Sequence, residues 1–345
     1  MSYRKVLPAA WCAAIFLTAA ALAAPPAGAP AKVEAEQKSQ FLRLLRDSEE
    51  MPVALQAAIV RFAPPQRPAQ GPTVDLVAAV HVAEKSYYRL LNREFRKYDA
   101  VLFELVAPEG TQVPKGGQSG GSPVSAIQRG MKSVLELEFQ LEQIDYTEKN
   151  MVHADMSPEQ FAQSMRRRGE SFFGMFLRML GYAMAQQNRS GGQATDLQLL
   201  MALFDKNRAL ALKRVMAEQF EDMEGILLAL DGPDGSTMIS ERNKVALQVL
   251  RKQVASGKRK FAIFYGAGHM PDLQQRLRED FGLAPVSTRW VNAWNLKAPQ
   301  RPKATEKTKA PEKPEAAEKP EAPEKSADDG NHQPAGASGA VLERL

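Results

Sequence analysis

The chain has 345 residues, with 45 Lys or Arg against 40 Asp or Glu, and a single cysteine. The formal charge of +5 is spread among acidic residues. Its only basic runs, Arg166-Arg167-Arg168 and Lys258-Arg259-Lys260, lack interleaved aromatics, so they read as solvated helix faces and argue against a nucleic-acid partner.

In chain order, a short basic start (Met1-Ser-Tyr-Arg4-Lys5) is followed by an apolar stretch from Val6 to Ala24 that closes on Ala21-Leu22-Ala23. This is the pattern of a secretory signal peptide over residues 1–23, with an uncleaved single-span anchor as the alternative. Cys12 lies in the middle of the segment, where a lipoprotein signal would need it at the end. The exported chain would then have no disulfide, no thiolate metal site and no cysteine nucleophile. Residues 24–52 read as an Ala/Pro/Gly linker and an N-terminal helix from Ala35 to Arg46. Residues 53–296 are long enough for one large domain or two tightly joined halves.

Within that core, Ala57 to Phe62 and Val74 to Val80 read as strands, followed by a helix from Glu84 to Lys97 and a strand from Ala100 to Val106. Pro108 to Pro123 is a glycine-rich loop, and helical periodicity returns over Ser125 to Leu141. From Ser157 to Gln253 the pattern is almost wholly helical, broken at Ser190-Gly-Gly192 and Asp231-Gly-Pro-Asp-Gly235. Phe261 to Tyr265 and Val286 to Trp294 are the last strands. Strands at both ends with helices between them imply an α/β fold, a mixed central sheet built from N- and C-terminal halves around a large helical insertion. From Lys297 to Leu345 the composition turns to Lys, Pro, Glu and Ala, a low-complexity tail expected to be a disordered spacer. His332 lies in it and is set aside.

Two segments share a layout: an apolar run, a histidine, then an amphipathic helix. They are Val74-Asp-Leu-Val-Ala-Ala-Val80-His81 and Lys260-Phe-Ala-Ile-Phe-Tyr-Gly266-Ala-Gly-His269. A residue between a strand's carboxyl end and a helix start sits where open α/β sheets build their sites. Glu104 stands inside the apolar run Val101 to Val106, where a carboxylate is costly unless paired, hydrogen-bonded or metal-bound. If the two strands around the Glu84–Lys97 helix are neighbours in a βαβ unit, His81 and Glu104 meet at one edge. Glu241-Arg242-Asn243 opens the helix before the His269 strand, either as a cap or to hold Arg242 for orienting a carboxylate or stabilising an oxyanion. His153 and Asp155 stay open as site residues, while Ser157 before Pro158 reads as a helix cap. The Met- and Phe-rich run Phe172 to Met184 reads as core or a dimer seam rather than a flexible apolar surface.

Together these residues resemble the TraB/PrgY/GumN family, which includes the Tiki-type proteases. The resemblance lies in Gly266-Ala-Gly-His269, in Tyr98-Asp-Ala-Val-Leu-Phe-Glu104, in Ile239-Ser-Glu-Arg-Asn243 and in Met151-Val-His-Ala-Asp-Met156, and spans Val53 to Trp294. The first motif departs from the pattern: it reads Ala78-Ala-Val-His81, with alanine where the family usually has glycine. The resemblance implies an EreA/ChaN/Tiki-like α/β fold with both histidines facing one cleft. It also implies an exported, periplasmic or extracellular hydrolase, a metal-dependent peptidase using manganese or cobalt, acting on a peptide or a small ester-like substrate. The implied catalytic residues are His81, Glu104, Arg242 and His269, with His81, Glu104 and His269 as metal ligands. Two imidazoles and a carboxylate can hold a water-activating divalent metal, or form a metal-free His-Glu pair that deprotonates water directly. A non-catalytic protein that binds a peptide, haem or metal in the same cleft is the alternative from another class, and an envelope scaffold is a third.

Overall fold

A computed structural model of the chain describes residues 41–66, 71–116, 135–175, 177–178, 180–181, 193–221, 231 and 234–298. The expected signal segment, the part of the expected Pro108–Pro123 loop beyond Gly116 and nearly all of the Lys/Pro/Glu/Ala tail lie outside the described residues. Among the described residues no helix is long and apolar enough to cross a membrane.

The chain forms a mixed α/β structure around one seven-stranded sheet. Strand β1 (Leu42–Arg46) is antiparallel to the first half of β2 (Pro52–Ala63), and β3 (Thr73–Ala79) is antiparallel to its second half. The last strand, β9 (Ala284–Asn295), runs antiparallel along nearly the whole of β2. From β3 the sheet continues with parallel pairings through β8 (Lys260–Gly266) and β5 (Ala100–Phe103) to β7 (Met151–His153). The strands of the parallel half are continuous apolar runs because both faces are covered: β5 is buried throughout, and β8 from Phe261 onward. Residues 42–46 were expected to be helical. Their alternation, with Leu42 and Leu44 buried and Arg43 exposed, is instead the period of a strand with one face packed on the core.

Helix α1 (Lys85–Phe95) crosses from β3 towards β5 and buries Tyr87, Tyr88, Leu91 and Phe95. The expected adjacency of β3 and β5 does not hold, because β8 lies between them. A strand from late in the described chain, β8, enters the middle of the parallel half between β3 and β5.

The segment after β5 also differs from expectation. Of the expected helix from Ser125 to Leu141, residues 125–134 lie outside the described residues, and the described remainder gives β6 (Glu138–Phe139), which pairs with β4 (Val82–Ala83), and the start of one helical turn, α2 (Gln140–Gln143). Then come β7, α3 (Pro158–Arg168), α4 (Gln193–Leu203) and α5 (Arg208–Glu221). A π-helical turn over Thr237–Glu241 leads directly into α6 (Arg242–Ala255), and a 3-10 turn over Ala267–His269 joins β8 to α7 (Met270–Phe281). Ser157 caps α3 in a capping box with Gln160, and Pro158 is the first helical residue. In the Met- and Phe-rich run, Phe172, Phe173 and Leu177 are exposed, so the described part is not core within one chain.

Candidate active site

Four parallel strands end side by side, and each delivers a polar residue just beyond its carboxyl end: His81 after β3, His269 after β8, Glu104 after β5 and Asp155 after β7. Strand β5 stops at Phe103, so Glu104 is the first residue past the strand rather than part of it. A fifth side chain, Arg242, enters from the start of α6. That helix buries Arg242, Asn243, Ala246, Leu247 and Leu250 along one face, which turns the guanidinium and its amide neighbour inward. Glu241 makes no side-chain capping bond, so a capping role does not account for the triplet.

Because β8 separates β3 from β5, His81 and Glu104 must meet across its end, and Gly266 makes this possible. A methyl group added to Gly266 would come 3.0 Å from His81 Nε2 and 3.4 Å from Glu104 Oε2. The Gly266 N–H donates to that same Glu104 oxygen at 2.7 Å. The glycine is needed here for close approach rather than for a positive φ.

Arg242 is fully engaged inside the protein. Its Nε donates to Asp155 Oδ1 at 3.0 Å, while its NH2 donates to Asp155 Oδ2 at 2.6 Å and to Glu104 Oε1 at 2.7 Å. Its NH1 donates to the Met238 carbonyl at 3.3 Å and approaches His269 Nε2 at 3.5 Å. These contacts use all five guanidinium N–H groups. The group that sequence reasoning offered as an oxyanion or carboxylate binder is thus a clamp on two carboxylates.

Burial alone would push the Glu104 carboxyl up; the Arg242 charge, with His269 and His81 adding to it, instead holds it well below the usual carboxylate range. Burial likewise disfavours the charged guanidinium, and Glu104 and Asp155 more than reverse this.

Both histidines are oriented through Nδ1 by amide oxygens. His269 Nδ1 donates to Asn243 Oδ1 at 2.8 Å, and the Asn243 Nδ2 donates to the His269 carbonyl and to Asp272 Oδ2, which fixes the amide's direction. His81 Nδ1 donates to Gln140 Oε1 at 3.0 Å, with Gln140 Nε2 donating to the Tyr146 hydroxyl at 2.8 Å. That leaves the Nε2 of each ring on the Glu104 side, that of His269 3.5 Å from Glu104 Oε1. The His269 nitrogen is buried against Arg242, whereas His81 is exposed beside Glu104.

His153 lies outside the cluster, its Nε2 donating to the Leu105 carbonyl at 2.6 Å and its ring packed on Phe103. Ala78 is also away from the open side: it is buried, pairs in register with Tyr265 rather than Gly266, and its carbonyl accepts from the Tyr87 hydroxyl. The sequence reading left Asp155 open, singled out Asn243 only as part of the Glu241-Arg242-Asn243 triplet, and passed over Gln140 and Asp272 as site residues.

The three expected metal ligands do come together, but not as a ligand set. Both Glu104 oxygens already accept hydrogen bonds, and a guanidinium lies against His269 Nε2 where a divalent cation would have to share that nitrogen. Among the described residues no group of three His, Cys, Asp or Glu side chains is placed to hold a metal ion. In this arrangement the donor set does not fit manganese or cobalt.

The chain matches no family model, no curated protein and no solved structure. The likeness to the TraB/PrgY/GumN family therefore stands on the motif residues alone.

Proposed function

We propose that the chain is an exported hydrolase, TraB/GumN-like in its motifs, that activates water with a His-Glu pair and needs no bound metal. The observation that carries the reading is the pairing of an exposed imidazole, His81, with a buried carboxylate held ionised beside it. Glu104 is a poor base near neutral pH, because its proton affinity is depressed. A permanently charged carboxylate is, however, suited to stabilising an imidazolium that forms next to it. In this mechanism His81 Nε2 takes a proton from water, and the oxygen attacks the carbonyl carbon of a peptide or ester-like substrate. The imidazolium then returns the proton to the departing nitrogen or oxygen as the carbon–heteroatom bond breaks. Arg242 and Asp155 keep Glu104 ionised and in place, and the apolar N-terminal segment accounts for export.

The test is turnover of activated esters and a peptide panel by the full chain, with and without a chelator, beside His81→Gln. Retained turnover after chelation and a loss of about 10²- to 10⁴-fold in the variant support the reading. Binding without turnover, or turnover that depends on added manganese or cobalt, overturns it in favour of the binding protein or the metallopeptidase.

A further inference from the structure

We propose that Gln140 is the positioning residue for His81, an amide occupying the place where a hydrolase triad more often has a carboxylate. The proposal rests on the reading of His81 as the base.

Gln140 holds His81 at two points. Its side-chain oxygen meets Nδ1 at 3.0 Å, and its backbone N–H donates to the His81 carbonyl at 2.9 Å. Gln140 is itself buried, and its amide nitrogen is anchored on the buried hydroxyl of Tyr146, whose ring packs against Phe103 with centroids 4.9 Å apart. The flanking backbone is fixed as well. Val82 pairs with Phe139 and Ala83 with Glu138, and the Tyr88 hydroxyl lies 2.9 Å from the Val80 carbonyl and 3.3 Å from that of Glu138. The residues on either side of His81 and those just before Gln140 are thereby stitched together.

Nothing else in the described structure gives this two-residue ladder a purpose as clear as setting one imidazole. It fixes which nitrogen carries the proton and turns the other towards Glu104. An amide does this without adding charge, so Glu104 stays the one carboxylate across Gly266 from the ring. The other titratable groups around His81 are Tyr88 on α1, Glu138 on β6, Tyr146 behind Gln140, and Arg242 and His269 behind Glu104. Of these, Tyr146 is the one that hydrogen-bonds the Gln140 side chain and so loses that partner when residue 140 is substituted.

The experiment compares pH–rate profiles and the NMR titration of the His81 ring in wild type, Gln140→Leu, Gln140→Glu and Tyr146→Phe. Gln140→Leu lowers kcat by about 10- to 100-fold at every pH with KM little changed, as expected when a ligand's or base's orienting partner is lost. Gln140→Glu restores turnover at high pH, with the acid limb and the His81 titration midpoint moved up by about one pH unit, because a second carboxylate now faces the ring. Tyr146→Phe, which leaves the His81 contact but frees its anchor, gives a smaller fall in kcat and covers the case in which the charged variant does not fold. Full kcat in Gln140→Leu, or an unmoved His81 titration in folded Gln140→Glu, overturns the proposal. If no variant, wild type included, shows turnover but the His81 midpoint moves in Gln140→Glu, Gln140 still positions His81 and it is the hydrolase reading that fails.

Discussion

At the scale of single residues, the site depends on an atom that is missing. Gly266 has no Cβ, and the space that atom would fill is where His81 and Glu104 come together. Gly266→Ala should fold almost normally, because its backbone φ of −50° is open to any residue and the exposed His81 ring can give way. The expected cost is below about 1 kcal/mol in stability, with a loss of about 10-fold or more in kcat as the ring is displaced from its carboxylate. Denaturant unfolding and steady-state kinetics on the same sample separate the two effects, and equal losses in both would show that the contact is merely structural. His81, Glu104, Arg242 and His269 were picked out in the sequence because the two histidines follow apolar runs, Glu104 stands inside one and Arg242 opens a helix. Gln140 was not. It lies 59 residues from its partner, and an amide in a stretch of helical periodicity carries no signature until the β4–β6 pairing is known. For Arg242 the sequence offered carboxylate orientation among its roles, but that all five donors are engaged emerges only from the three-dimensional arrangement.

At the scale of elements, most strands and helices of the core follow from local patterning, whereas the order of the strands does not. Two apolar runs joined by an amphipathic helix predict a βαβ unit equally well whether the strands are neighbours or have another strand between them. That choice was made by β8, which lies 157 residues after the end of β5 if counted from Phe103 to Lys260. The start of α6 shows what the element must supply. A π turn feeds the helix, and its first two residues turn into the core with a charge that has to be met there. Arg242, Glu104 and Asp155 have side-chain exposures of 4%, 13% and 0%, so removing the cation leaves two carboxylates without their counter-charge in a low-dielectric setting. Arg242→Met is expected to destabilise the fold by about 3–5 kcal/mol, the usual cost of breaking a buried ion pair on one side. Arg242→Lys keeps the charge but lacks the planar fork that reaches both carboxylates, and should recover only part of the loss. Urea unfolding of the three proteins checks this order. If Arg242→Lys were as stable as wild type, the charge alone would be what matters, and the five-bond geometry would be incidental.

At the scale of the whole molecule, the titratable groups set a window of stability with two different edges. Glu104, held down by Arg242 against the opposing effect of burial, is joined by Glu94, Asp99, Asp145 and Glu170, whose carboxyls are also shifted below their ordinary range by ion pairs and hydrogen bonds. A carboxyl with a folded-state value below its unfolded value contributes stability that is present above the unfolded value, about 4, and lost as pH falls through the folded one. At the other edge, burial pushes Tyr87, Tyr88, Tyr98, Tyr146 and Tyr265 up, so the unfolded chain releases those protons first. Their contribution is complete below about pH 10 and is lost as pH rises beyond it. The melting temperature should therefore hold a plateau from about pH 5 to about pH 9 and fall on both sides. Glu104→Gln, although less stable at neutral pH through loss of the Arg242 pair, should fall less steeply below pH 5. Tyr87→Phe should fall less steeply above pH 10, because it removes one phenol that the core keeps protonated. Scanning calorimetry across the pH range tests both edges together. An acid slope identical in wild type and Glu104→Gln would mean that the exposed carboxylates carry the acid edge alone, and that the buried cluster at the strand ends contributes to chemistry rather than to the pH range over which the fold survives.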